Sequence, residues 1–185
     1  MSDTSYIGRA DLPPGLRNNN PGNIRPSAGI TWQGSTGTAN NFVVFQSVYW
    51  GLRALARDIS TKIGRGLNTI RLIISEYAPP SENDTASYIA AVSRDTGLTP
   101  DEPVNVQDNL HDLMSAIINH ELGAGYAGYI SDTDIDAGIG MAGGQSAGEE
   151  SNDPGVSDSG SSGPGTGTLL GLAGAAVLLW LIFRE

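Results

Sequence analysis

Cysteine is absent from all 185 residues, and histidine occurs only as His111 and His120. The first absence excludes a disulfide framework, a thiolate nucleophile and a cysteine-based metal site; the second leaves too few imidazoles for a histidine-rich one. Metal catalysis is therefore not expected, and no cofactor is called for. Basic residues are scarce as well: ten Lys and Arg stand against twenty Asp and Glu, giving a net charge of -10 and a pI near 4.4. Nucleic acid, which wants a basic face, is not an expected partner. The stretch from Met1 to Tyr6 lacks the basic and apolar regions of a signal peptide. What remains for chemistry is carboxylates, hydroxyls and histidine.

The charge is unevenly spread. Residues 1–71 hold eight Lys and Arg against three Asp and Glu, whereas residues 72–142 hold one against twelve. The two signs either pair inside the domain or line two sides of a cleft.

The stretch from Arg17 to Arg25, Arg-Asn-Asn-Asn-Pro-Gly-Asn-Ile-Arg, exceeds what local folding needs. Asn20-Pro21-Gly22-Asn23 predicts a tight turn, since Pro21 presets one dihedral and Gly22 and Asn23 tolerate left-handed backbone. Arg17, Asn18, Asn19 and Arg25 add amides and guanidinium groups, a surface suited to a ligand rich in hydroxyls, amides and carboxylates. A side-chain-capped loop with two solvated arginines is the plainer reading.

Residues 1–16, ending in Pro13-Pro14-Gly15, read as a loosely held arm. Ile30–Trp32 and Asn41–Phe45 are short apolar runs that suggest a small extended lobe. From Ser47 the period becomes helical, with Val48, Leu52, Leu55, Ala56, Ile59 and Ile63 on one face and Gly64 as the stop. Further helices are expected from Asn68 or Thr69 to Tyr77, from Asp84 to Gly97, from Asn105 to Leu122, and after Ser131. The run Asp132, Asp134, Asp136 mimics the start of a calcium loop but lacks its glycine and glutamate, and reads as charge at a helix N-terminus. The domain over 17–142 is thus mainly α with a small extended lobe. Residues 143–168 are almost wholly Gly, Ser, Asp, Glu, Pro, Thr and Asn, the composition of a flexible acidic linker. Residues 169–183 are uninterruptedly apolar, which predicts a single C-terminal transmembrane helix and hence a lipid membrane as partner.

Two carboxylates stand out as catalytic candidates. Glu121 closes the helix that ends Ile117-Ile-Asn-His-Glu-Leu122; at the negative end of a helix dipole and near apolar side chains, the charged form is disfavoured, which suits a general acid. Glu82 lies in a loop stiffened by Pro79 and Pro80, where it serves either chemistry or the N-terminus of the next helix. Trp32 and Tyr88 are either core residues or platforms that stack on sugar rings.

A set of blocks in fixed order carries a resemblance: Arg17 to Arg25, Trp32-Gln-Gly34, Phe42 and Phe45, Gly51-Leu-Arg-Ala-Leu55, Tyr77-Ala-Pro-Pro80, Glu82-Asn-Asp-Thr85 and His120-Glu121. Over about residues 15–142 the chain resembles the lysozyme-like proteins of phage particles described as virion-associated lytic transglycosylases. In that family the His-Glu pair is usually followed by Asn-Gly, whereas Leu122-Gly123 stands here. The resemblance implies a lysozyme-like fold, peptidoglycan strands as substrate, and Glu121 as the acid that protonates the glycosidic oxygen between N-acetylmuramic acid and N-acetylglucosamine. No second carboxylate nucleophile is then needed, because the sugar's own groups close an anhydro ring. Arg17, Asn18, Asn19, Asn20, Asn23 and Arg25, with Trp32 and Tyr88, would hold the substrate. The implied setting is a membrane-anchored protein of the virion, beside other virion proteins, opening the wall in the host periplasm.

Overall fold

The computed structural model describes residues 4–81 and 84–143. In chain order these form α1 (Pro14–Arg17), β1 (Ser35–Ala39), β2 (Phe42–Phe45), α2 (Val48–Gly64), α3 (Ile70–Tyr77), α4 (Thr85–Thr96), α5 (Val106–Leu122), a 3-10 turn (Ala127–Tyr129) and α6 (Asp132–Gly143). Helix starts follow capping chemistry. The side chains of Thr69, Asp84 and Asn105 accept the backbone N–H of Leu72, Ser87 and Asp108 respectively, satisfying first-turn donors that have no helical partner. At α6, Ser131 and Asp134 form a reciprocal box: the Asp134 N–H reaches Ser131 Oγ at 3.2 Å, and the Ser131 N–H reaches Asp134 Oδ2 at 3.0 Å. The aspartates there charge a helix start, as their spacing predicts.

The core is assembled from the apolar stripes of α2, α3 and α5. Leu52, Leu55 and Ile59, Ile70, Ile73 and Ile74, and Leu113, Met114, Ile117 and Ile118 are all at or near zero exposure. Each such side chain contributes about 1.5–3 kcal/mol of burial. Helix α5 packs on α4, α2 and α6, and α6 lies along α2, where Gly138 sits against Leu52.

The small lobe is an antiparallel hairpin whose turn residues Asn40 and Asn41 both have positive φ, 51° and 64°, as a two-residue primed turn requires. Its outer strand is Ser35–Ala39 rather than the Ile30–Trp32 run, because Trp32 is drawn into the core from irregular backbone. The first residues are not a loose arm either. From Thr4 onward they are tied in: the Val48 N–H donates to the Thr4 carbonyl at 3.0 Å, and Leu12 and Leu16 are buried.

The fold class needs one correction. The mainly helical body and the small extended lobe are present, but no helix among the described residues is long and apolar enough to cross a membrane. The longest, α2 and α5, have 17 residues each, about 25 Å at ~1.5 Å per residue. Both carry charge along their length, Arg53 to Lys62 in one and Asp108 to Glu121 in the other. The transmembrane helix expected at 169–183, like the linker expected at 143–168 beyond its first residue, lies outside the described residues. The observed class is mainly α with a two-stranded lobe.

Candidate active site

Glu121 is the penultimate residue of α5, half-buried, one step before Leu122 enters the core. Both carboxylate oxygens are held. Asn23 Nδ2 donates to Oε2 at 2.8 Å, and the Tyr88 hydroxyl donates to Oε1 at 2.8 Å. The donors come from two elements far apart in sequence, Asn23 from the Asn-rich turn and Tyr88 from α4, so the carboxylate is fixed in position and rotation. Hydrogen bonds to an ionised carboxylate are among the stronger ones, about 1.5–3 kcal/mol each.

The turn is built to deliver Asn23. The Asn23 N–H donates to the Asn20 carbonyl at 2.9 Å, and Asn23 itself takes φ 51°, a left-handed conformation that asparagine tolerates. Pro21 and Gly22 are buried beneath it. The Tyr77 hydroxyl donates to the Gly22 carbonyl and so fastens the turn from the α3 side. Asn23 Oδ1 is buried without a hydrogen-bond partner. That costs about 1–3 kcal/mol, and it falls on the side chain whose other end orients Glu121.

The remaining asparagines serve the framework. Asn19 accepts the Tyr6 N–H at 2.8 Å and donates to Ser5 Oγ and the Phe45 carbonyl. Asn20 accepts the Ile24 N–H and donates to the Ile24 and Val43 carbonyls, all at 2.9 Å. Together they stitch N-terminal segment, turn and hairpin into one unit. Asn18 is buried with its Nδ2 unpaired, while its carbonyl accepts the Phe45 N–H at 3.0 Å. Arg17 is half-buried at the end of α1; Arg25 is exposed, its guanidinium 5.6 Å from the Phe42 ring centroid. Trp32 is buried with its indole N–H unpaired. Of the residues singled out in the sequence, the structure therefore gathers Asn23, Tyr88 and Glu121 at one point. Glu82 lies outside the described residues.

Burial pushes the Tyr88 hydroxyl far above its usual range, and the neighbouring Glu121 charge adds to this; the same two causes raise Tyr77. Both phenols stay protonated and available as donors. The Tyr88 ring also stacks on His120, with centroids 3.6 Å apart and planes 19° apart. His120 borders an open cleft of about 470 Å³ between α4 and the end of α5, lined by Arg94 and Asp95 on one side and Asn119, His120 and Gly123 on the other. In the sequence Tyr77 stands out only as the end of a helix and the start of the Tyr77-Ala-Pro-Pro80 block, so its part in the site was missed; its polar tip is the signal that could have suggested it. Among the described residues, no three metal-ligating side chains converge.

The fold and site define a small helical domain that clamps one carboxylate between an amide and a phenol. No protein-family model matches the chain. Over 115 residues it is 36% identical to Protein P5 of Pseudoalteromonas phage PM2, an alignment that spans 60% of this chain and 71% of P5. The chain belongs to the family of that phage protein.

Proposed function

We propose that this chain is a lysozyme-like, peptidoglycan-cleaving enzyme carried by a phage particle, with Glu121 as general acid. The observation that carries the reading is the clamp on Glu121. A carboxylate whose two oxygens are each fixed by a donor from a different element is oriented for proton delivery, and proton transfer by a positioned group contributes about 10²–10⁴-fold. Protonated Glu121 is accommodated without rebuilding the site, because the Tyr88 hydroxyl can turn from donor to acceptor. Among the described residues, the groups that hydrogen-bond Glu121 are an amide and a phenol. The reaction we assign is that of a lytic transglycosylase on the MurNAc-GlcNAc β-1,4 bond, which needs no second carboxylate because the substrate's own hydroxyl traps the oxocarbenium-like centre. Membership in a family with a phage protein supports action from the virion, on the wall in the host periplasm, as the phage penetrates the cell.

One observation favours a second reading. Both oxygens of Glu121 are already occupied, as they would be in a purely architectural carboxylate, and this suits a non-catalytic virion protein that binds glycan or neighbouring virion proteins. The test is incubation of the full chain and of Glu121→Gln with purified sacculi, with mass spectrometry of what is released. Anhydro-muramic ends that vanish in Glu121→Gln support the transglycosylase; reducing ends make the enzyme a muramidase or glucosaminidase. No release by folded wild-type protein leaves the binding protein.

A further inference from the structure

The cleft beside the clamp offers fixed charge as well as amide and imidazole groups. Arg94 and Asp95 supply charges of both signs from α4, while Asn119 and His120 supply an amide and an imidazole from α5. Arg94 is well exposed, with 72% of its side chain open to solvent, and among the described residues it spends only its Nε, on Asp95 at 3.0 Å. Its two terminal nitrogens, the planar fork that suits a carboxylate, are uncommitted. A bare glycan offers hydroxyls and acetamido groups but no fixed charge apart from its lactyl ends. A peptide branch offers carboxylates, an amine and a row of amides. At about 470 Å³ the cleft lies within the roughly 300–1,000 Å³ of small-ligand sites, room for a short peptide but not for a protein surface.

The cleft is also wired to the acid. The His120 ring lies face to face on Tyr88, and the Tyr88 hydroxyl holds Glu121 Oε1 at 2.8 Å. Whatever seats against His120 therefore presses on the group that sets the orientation of the carboxylate. We propose that the cleft between α4 and the end of α5 binds the carboxylate-bearing peptide branch of the glycan, with Arg94 as its principal anchor and His120 as the contact through which it reaches the clamp. This rests on the reading of Glu121 as acting on peptidoglycan. The enzyme would then sense, beside the bond it cuts, whether the muramic sugar carries a peptide.

The test is a titration of isotopically labelled full chain with a soluble disaccharide-tetrapeptide and with the same disaccharide after an amidase has removed the peptide. The peptide-bearing probe is expected to bind about tenfold more tightly, to shift the amides of Ala91 and Gly123, and to lose its advantage in Arg94→Ala, whose melting temperature stays that of wild type. Equal affinity for the two probes, binding of neither, shifts confined to other elements, or an undiminished advantage in Arg94→Ala each overturns the proposal. Digestion of sacculi, run separately, keeps the two readings apart. Peptide-dependent binding without any release sinks the enzyme and leaves the peptide site; release with no peptide-dependent binding sinks the peptide site and leaves the enzyme.

Discussion

The Tyr77 hydroxyl donates to the carbonyl of Gly22, the residue immediately before the asparagine that holds Glu121. The Tyr77 ring lies 5.8 Å from the Lys62 ammonium, which is itself buried and paired with Asp58 at 2.6 Å. A chain of contacts thus runs from the last turn of α2 through α3 to the turn, and from the turn to Glu121. In Tyr77→Phe the Gly22 carbonyl loses its donor. The expected result is a loss of about 1–2 kcal/mol in denaturant unfolding, together with a severalfold fall in kcat on peptidoglycan at nearly unchanged KM. A fall in stability with full kcat would mean that the turn holds Asn23 without Tyr77.

Asn23→Ala and Tyr88→Phe each release one oxygen of Glu121. Since orientation rather than binding is lost, kcat should fall by about ten- to hundredfold while KM moves within about twofold. The double variant should lose less than the product of the two, because the carboxylate is already misplaced by either change. Steady-state kinetics on soluble glycan strands separates these outcomes.

Alkaline pH should unfold the domain earlier than its charge alone would suggest. Burial first, and the Glu121 charge second, push the hydroxyls of Tyr77 and Tyr88 above the ordinary value. In the unfolded chain tyrosine loses its proton near pH 10, while the folded chain keeps it. Above that pH the unfolded state therefore binds fewer protons, and stability falls by up to about 1.4 kcal/mol per pH unit for each such group. Melting followed from about pH 9 to 11 should show this decline, and a shallower one in Tyr77→Phe and in Tyr88→Phe.

Gly51 lies on α2 where the Asn-rich turn presses closest, and a methyl group there would collide with the Asn19 carbonyl. Gly51→Ala favours the helix by propensity, by about 1 kcal/mol. It must nevertheless lift the turn off α2, at a cost of about 1–3 kcal/mol. Net destabilisation by circular dichroism melting, with activity falling further than stability, is the expected result; a stabilised, fully active variant would show that the turn can move freely.

The helices were legible because their periodicity and caps agree. The run from Ser47 to Gly64 became α2 nearly to the residue, and Asp84 and Asn105 cap where their chemistry says they should. The segment from Thr4 to Leu16 was not, because Tyr6, Leu12 and Leu16 show no period; Asn19, a partner whose reach the sequence does not reveal, ties it in through the Tyr6 N–H. The outer strand was missed for a related reason: Ser-Thr-Gly-Thr-Ala offers little apolar pattern, and backbone pairing with β2 decides it. In the site, residue types were informative but directions were not. Asn19, Asn20 and Asn23 are chemically identical, yet two point into the framework and one at Glu121. Backbone conformation does not separate them either, since Asn19 and Asn23 share a left-handed φ, 53° and 51°; only their places in the folded turn do.

Helix α6, the last of the described helices, covers the face of α2 with Gly138 against Leu52. During synthesis, then, α2 leaves the ribosome with that face bare, and its covering partner follows only after α3, α4 and α5 have been made. The nascent chain must keep an apolar surface unfilled until α6 has been made, and folding of the domain completes late. A stop codon or cleavage ahead of Asp132 would yield not a shortened domain but a sticky fragment, a substrate for chaperones and proteases.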